Sequence, residues 1–476
     1  MARAGDATRD PDCETPGMTT LDLATSLTGS VHRPGDPAYA DACTLFNAAI
    51  DRHPALVVRP RTPADVAAAI GSARTAGMAL AIRGGGHSVS GASLCDDGLV
   101  IDMRSLDSIE VDAAARTAKV GGGCLTGAVD QALQAHGLAT TLGRVTTTGV
   151  AGFTLGGGSN WLERRFGLAV DNLLAAEIVT ADGELLSVDE EAHGELFWAL
   201  RGGGGNFGAV TSLTFRVHHV GMATGGLLLH PAEQGVDLLR QVRDYMATAP
   251  DHISIAVLYL YGPDDPSIPE ILRGKPTVAT WLWHFGPVEN AEAELRAIRT
   301  FGSPAADFVT SGLYADLNGS MDDPAGYRNY FTADHLGELT DEAIDVVHEH
   351  ALRLPEGPGW TMLVPWGGAV ARPEHDLPLA NRDARWVIHP GAFWSDPAKD
   401  HEAAAWARSF REDLRPYSSG GVWLNFIGNE GDDRIRAAFG DANYRRLQAV
   451  KAAYDPENVF QSNHNVPPSS NGQPPG

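Results

Sequence analysis

Three glycine clusters constrain this chain more than any other feature, because each must bring bare backbone close to something. The first, Arg83-Gly84-Gly85-Gly86-His87-Ser88, directly follows the apolar run Met78-Ala79-Leu80-Ala81-Ile82. The second reads Thr147-Thr148-Gly149-Val150-Ala151-Gly152, followed by Leu155-Gly156-Gly157-Gly158. The third is Arg201-Gly202-Gly203-Gly204-Gly205-Asn206-Phe207-Gly208. Stripped of side chains, successive backbone N–H groups form concave nests that hold anions. Any one cluster alone is equally a tight turn. Together they predict loops that cradle a large ligand carrying a pyrophosphate, with its reactive end near His87.

The third cluster contains Gly203-x-Gly205-x-x-Gly208, which fits the Rossmann fingerprint, but its surroundings are wrong. That fingerprint needs a strand before it and a helix after it. Here Glu190 to Leu200 has helical character, and Val210 to Val217 alternates as a strand with Leu213, Phe215 and Val217 on one face. The phosphate-gripping G-x-x-x-x-G-K-S/T pattern does not occur. The combination reads as a flavin site.

A chain of 476 residues is long for one core, and two domains are expected. Residues 56 to 217 alternate short strands and helices. Thr62-Pro63 with Asp65 marks a helix start closed by Gly77, and Leu80–Ile82, Leu99–Asp102, Ser108–Val111 and Thr117–Val120 are strands. Leu125 to Ala135 is a helix closed by Gly137. Beyond about residue 218 the texture changes: eight of the ten tryptophans lie after position 280. Thr277 to His284 alternates as a strand with Trp281 and Trp283 on one face. Helices are expected from Asn290, as N-cap, to Thr300, from Thr340 to Leu352, and from Asp433 to Tyr454 with Leu447, Val450 and Ala453 facing inward. The fold class is α+β. Trp281 and Trp283 are each core residues on base rates, or jointly a wall for a planar substrate.

The net charge of −24 disfavours nucleic acid and anionic membranes as partners. Cys13, Cys43, Cys95 and Cys124 form neither a disulfide framework nor a metal motif, so no metal is expected. No apolar run reaches the length of a membrane span or a secretory signal, so the expected location is cytoplasmic. Residues 1 to 17 read as disordered, with Met18 as an alternative start, and the Pro/Ser/Gly-rich end as a flexible tail.

These stretches resemble the berberine-bridge-enzyme-like, FAD-linked oxidases of the vanillyl-alcohol oxidase superfamily, and among them the bacterial oxidases of secondary metabolism. The matching segments are Val58-Arg59-Pro60-x-Thr62-Pro63-x-Asp65-Val66, the three glycine clusters with Phe197-Trp198-Ala199-Leu200 before the third, Gly167-Leu168-x-x-Asp171-Asn172-Leu173, and Tyr454-Asp455-Pro456-x-Asn458-x-Phe460. The resemblance implies a PCMH-type FAD domain in two parts, 36–218 and 426–467. Between them lies a substrate domain, 219–425, built on an antiparallel sheet flanked by helices, with partly disordered and flexible ends at 1–35 and 468–476. It implies a covalent bond from His87 to the 8α-methyl carbon of FAD. The residues expected to surround the cofactor are Arg83, Gly84, Gly85, Gly86, His87, Ser88, Thr147, Thr148, Gly149, Gly152, Gly157, Asn206, Gly208, Val210, Asn463 and Asn465. The last two equally suit a closing turn.

Three departures from the family pattern matter. Where many relatives carry a second, cysteinyl link, this chain has Val145, so a single link at His87 is expected. Thr148 stands where bacterial polyketide oxidases place a threonine beside flavin N5; it either assists oxygen there or is a small wall residue. Trp423 replaces a frequent tyrosine two positions before the retained Asn425, which removes a tyrosinate base. For the base, His284 on the Trp281–Trp283 strand leads, with Tyr314, Tyr330 and His389 behind it. His284, Thr148, Trp423 and Asn425 are thus the expected catalytic set. The expected activity is oxidation of an aromatic or polyketide-like secondary metabolite, as in antibiotic biosynthesis, with O2 reoxidising the flavin. Carbohydrate or simple alcohol oxidation is the alternative, and a metabolite-sequestering resistance protein is the reading from another class.

Overall fold

The computed structural model describes residues 27–469 apart from Met321. The expectations for residues 1–17, Met18, Cys13 and the extreme C-terminal tail lie outside the described residues. Among those described, no helix is long and apolar enough to cross a membrane.

The N-terminal part begins with a four-stranded sheet in which Leu56–Arg59, Leu99–Asp102 and Leu80–Arg83 run parallel and Ser30–His32 adds an antiparallel edge. Val57, Val58, Ala81, Val100 and Ile101 are buried, the continuous apolar run that a parallel sheet covered on both faces requires. The helix Pro63–Thr75 starts as the sequence predicts, with Thr62 and Asp65 in a reciprocal capping box and proline in the first turn. The Asp65 carboxylate also accepts from Thr28 N at 2.9 Å and Gly29 N at 3.1 Å, so one cap ties down the start of the described chain. A second, antiparallel sheet is ordered Ile109–Asp112, Thr117–Gly121, Ala209–Arg216, Leu173–Val179, Leu185–Val188.

Residues 222–394 form a nine-stranded antiparallel sheet whose centre is Met222–Pro231, Pro276–His284, Ile253–Tyr261, Trp360–Pro365 and Trp386–Trp394. Alternation along these strands divides two layers. Val257, Tyr259, Val278, Leu282 and Ile388 face the helices Gly235–Met246, Asp341–Ala351 and Asp400–Leu414. Ala256, Leu258, Ala279, Trp281 and Trp283 face the opposite way, against Trp161 and Tyr314. The α+β class therefore holds.

Some element boundaries differ from expectation. The helix expected to be capped by Asn290 begins at Val288 with Pro287 as N-cap, and the α-helix ends at Leu295 before a 3-10 turn. The final helix, Asp432–Tyr454, is broken at Gly440, whose φ of 71° no helical residue adopts; Leu447 and Val450 are buried but Ala453 is exposed. Asn425 lies in a 3-10 turn, Leu424–Phe426.

One buried carboxyl makes stability depend on pH. Asp130, on the helix Thr126–Gln134, is 3% exposed and accepts a single hydrogen bond, from Asn318 Nδ2 at 3.1 Å. Burial pushes its pKa up to about 8. The folded chain therefore holds a proton that the unfolded chain releases near pH 4, and stability from this group falls as pH rises from about 4 to about 8. Asp130→Asn is expected to raise the thermal midpoint at pH 8.5 and to leave it nearly unchanged at pH 4.5. Equal effects at both pH values would contradict a protonated Asp130.

Candidate active site

A cavity of about 310 Å³ lies where the three glycine clusters meet. The first cluster leaves the C-terminal end of the strand Leu80–Arg83, and the second opens the helix Val150–Leu155. They touch backbone to backbone: a Cβ on Gly85 would sit 2.3 Å from Gly149 N. Gly208, with φ of 156°, packs against the carbonyl of Val179 in the same way. Gly152 and Gly205, by contrast, have nothing within 4 Å of where a side chain would be, and Gly84 has only Gly122 O at 3.9 Å. All three line the cavity. Some glycines thus close the scaffold, and others leave bare backbone facing open space.

His87 sits on the cavity wall, half-buried. Its Nε2 is hydrogen-bonded to Thr147 Oγ1 at 2.8 Å, and Phe46 stacks on the ring at 4.2 Å. The apolar surround pushes its pKa down to about 4, so the imidazole is neutral at pH 7. Val145 and Thr148 are in the same wall.

At the other end, Asn463 Nδ2 donates to Gly205 O at 3.1 Å and Val466 N to Asn206 Oδ1 at 2.9 Å, so the C-terminal segment grips the third glycine loop. Lys451 completes this junction. Its Nζ donates to Asn206 O (2.7 Å), Phe460 O (2.9 Å) and Asp455 Oδ2 (2.5 Å). The side-chain oxygens of Asn463 and Asn465 are buried with no partner among the described residues. Unmatched buried acceptors beside a cavity suit a ligand with N–H donors.

Of the expected residues, Gly84, Gly85, Gly86, His87, Ser88, Thr148, Gly149, Gly152, Gly208, Val210, Asn425 and Asn463 line the cavity. Arg83, Thr147, Gly157, Asn206 and Asn465 stand behind it. Arg83 points away, donating to Thr44 O at 2.8 Å and lying 3.6 Å from Asp102. Gly157 is glycine because a Cβ would strike the Trp423 ring at 2.6 Å.

Three expectations about the reacting face are corrected. Trp423 is buried 5.0 Å from Trp366 and is not part of the cavity wall. Trp281 and Trp283 share a face as alternation requires, but they pack on Trp161 and border a separate space of about 350 Å³ with Phe308 and Leu227. His284, one residue on, is turned to the opposite layer, fully buried and bonded to Glu294 at 3.1 Å. Tyr314 is enclosed beside Asn160, and Tyr330 lies under Arg408. His389 is the candidate base that reaches the cavity. It is 2% exposed, stacks on Phe426 at 3.9 Å, and neither ring nitrogen has a partner among the described residues. Burial holds its pKa well below the usual value.

Sequence reasoning missed Phe46, Arg144, Asp323, Phe331 and Phe426, all of them in the wall. Arg144 and Asp323 pair at 2.8 Å, and Trp360 Nε1 donates to Asp323 Oδ1 at 3.1 Å. None of the five has a local motif that marks it.

Bare backbone for a pyrophosphate, a neutral histidine at one end and unmatched acceptors at the other define a flavin-dependent oxidoreductase. Residues 54–189 match the FAD binding domain family, and residues 422–467 match the berberine and berberine-like family. The chain is similar to (R)-6-hydroxynicotine oxidase of Paenarthrobacter nicotinovorans, at 29% identity over 459 residues, 93% of this chain and 97% of that one. It is also similar to the FAD-linked oxidoreductase aurO of Gibberella zeae, at 28% identity over 92% of this chain and 86% of that one. The crystal structure of 6-hydroxy-D-nicotine oxidase from Arthrobacter nicotinovorans superposes with a TM-score of 0.83 at 26% identity, covering 95% of this chain and all of that one. Glucooligosaccharide oxidase from Acremonium strictum shares the fold, with a TM-score of 0.82 at 23% identity over 94% of this chain and 98% of that one. The chain thus carries an FAD binding domain and a berberine-like C-terminal segment, and its relatives are FAD-linked oxidoreductases.

Proposed function

We propose that this chain is a covalently flavinylated oxidase that takes two electrons from an aromatic or polyketide-like small molecule and passes them to molecular oxygen. The observation that carries the reading is His87. It lines the cavity with Nε2 held by Thr147, which leaves Nδ1, without a hydrogen bond among the described residues, as the atom to offer the cofactor. Val145 in the same wall supplies no thiolate, which makes the link single. FAD supplies the acceptor for the two electrons; the protein orients it and excludes water. The two cofactor-binding parts would be 36–218 and 426–467 and the substrate part 219–425, supported by a wall that draws on all three.

Phe46, Phe331 and Phe426 face the cavity, the lining that suits a planar apolar substrate. The Arg144–Asp323 pair favours a second reading, a carbohydrate whose hydroxyls those charges would bind. A cytoplasmic setting belongs to the same proposal: Cys43, Cys95 and Cys124 are free thiols, as a reducing compartment keeps them. The test is to screen both substrate classes by anaerobic flavin bleaching and then by oxygen uptake. Bleaching by aromatics with oxygen consumed on readmission of air supports the proposal. Bleaching by sugars alone transfers it to the second reading, and binding without oxygen uptake indicates sequestration.

Two substitutions follow. His87→Ala is expected to release the flavin on acid precipitation, whereas Cys124→Ala retains it. Thr148→Val removes a hydroxyl from the wall while keeping its shape, and is expected to change the resting absorption spectrum and abolish any oxygen insertion into product. An unchanged spectrum and product profile would make Thr148 a wall residue and the enzyme a plain hydrogen-peroxide-forming oxidase.

A further inference from the structure

Outside the flavin cavity, one cluster has no part in the oxidation described above. His284 ends the strand Pro276–His284, and His252 precedes the strand Ile253–Tyr261, whose Ile253 is its register partner. The two imidazoles therefore meet at one corner of the large sheet, edge to face at 5.1 Å. The helix Val288–Leu295 packs over that corner and delivers Glu294. His252 Nε2 lies 2.5 Å and His284 Nε2 3.1 Å from the same oxygen, Glu294 Oε2. The three ligand atoms all lie within 4.8 Å of one another. Gly286 permits the arrangement, since a Cβ there would stand 2.8 Å from His284 Cε1 and 3.2 Å from His252 Cδ2.

We propose that His252, His284 and Glu294 form a site for a divalent transition-metal ion of the zinc class, which staples the helix Val288–Leu295 to the sheet. Both imidazoles aim Nε2 at the same oxygen, so three potential ligand atoms from two strands' ends and a helix converge on one point. Two imidazoles and one carboxylate are a nitrogen–oxygen set suited to zinc, whose bonds to such ligands are about 2.0–2.2 Å. Only small movements would admit an ion between atoms already this close. His284 is fully buried, whereas His252 and Glu294 are about one-third exposed, so water has access to complete a tetrahedral shell. None of the three lines the flavin cavity, so the metal acts on the fold and not on the oxidation.

The test uses the full flavin-loaded protein, stripped with a chelator and titrated with Zn2+ and, separately, with Co2+. One equivalent of zinc is expected to bind and raise the thermal midpoint, and cobalt to give the intense visible absorption of a four-coordinate ion. His252→Ala and Glu294→Gln are each expected to weaken zinc binding at least about tenfold, with flavin content unchanged. Failure of the stripped wild type to take up zinc, or undiminished uptake by both variants, would overturn the proposal. Should neither variant fold, the wild-type cobalt spectrum decides: four-coordinate absorption supports the site, and the weak spectrum of a six-coordinate ion overturns it.

Discussion

Lys451→Met is expected to destabilise the protein by about 3–5 kcal/mol, the cost typical of removing one partner from a buried ion pair. Lys451 has no exposed side-chain surface, and its ammonium makes three hydrogen bonds of 2.5 to 2.9 Å. Its counter-ion Asp455 is equally buried and also accepts from Val459 N at 2.7 Å and Phe460 N at 2.9 Å. Methionine fills the volume but leaves a buried carboxylate without its cation and takes the ammonium donor from two carbonyls, Asn206 O and Phe460 O, of which Phe460 O keeps Asn463 Nδ2 at 3.2 Å. Because one of those carbonyls belongs to Asn206, the third glycine loop loosens too, and flavin content should fall with stability. Denaturant unfolding checks this, and the Lys451→Met/Asp455→Asn pair gives the coupling between the two groups. A loss below about 1 kcal/mol would mean that the junction is not held by this pair.

The second large effect falls on turnover. His389→Phe keeps an aromatic ring against Phe426 and Trp360 while deleting both ring nitrogens. If His389 accepts the substrate proton, flavin reduction should slow by roughly 10²–10⁴-fold, the range typical of a positioned general base. Flavin content and the visible spectrum should not change. Burial, reinforced by the Arg144 charge, keeps His389 neutral, the form that can take a proton. Stopped-flow reduction under anaerobic conditions isolates this step from the oxygen reaction. A variant reduced at the wild-type rate would show that the substrate needs no base at this position.

What could be read from the sequence follows a physical pattern. The glycine loops were legible because bare backbone at three places is improbable without a ligand, and Thr62 with Asp65 because a capping box is local. The pairing of Trp281 with Trp283 was legible as well, since strand parity is local. Which layer of the sheet that parity faced was not, because it depends on Trp161, more than a hundred residues away. The choice of His284 failed for the same reason, and His389 gained its place through the packing of Phe426, from the far C-terminal segment. Phe46, Arg144 and Asp323 reach the wall by long-range contacts such as Ala48 N to Tyr327 O at 3.0 Å, and no periodicity records those.

The claim on which the rest depends is that FAD is joined to this chain through His87 alone. Peptide mapping by mass spectrometry of the acid-precipitated, protease-digested protein tests it directly. The account predicts one flavin-bearing peptide, containing His87, with the added mass on that histidine and none on a peptide containing Val145 or any cysteine. Flavin recovered entirely in the acid supernatant, or an adduct on a cysteine peptide, would contradict it.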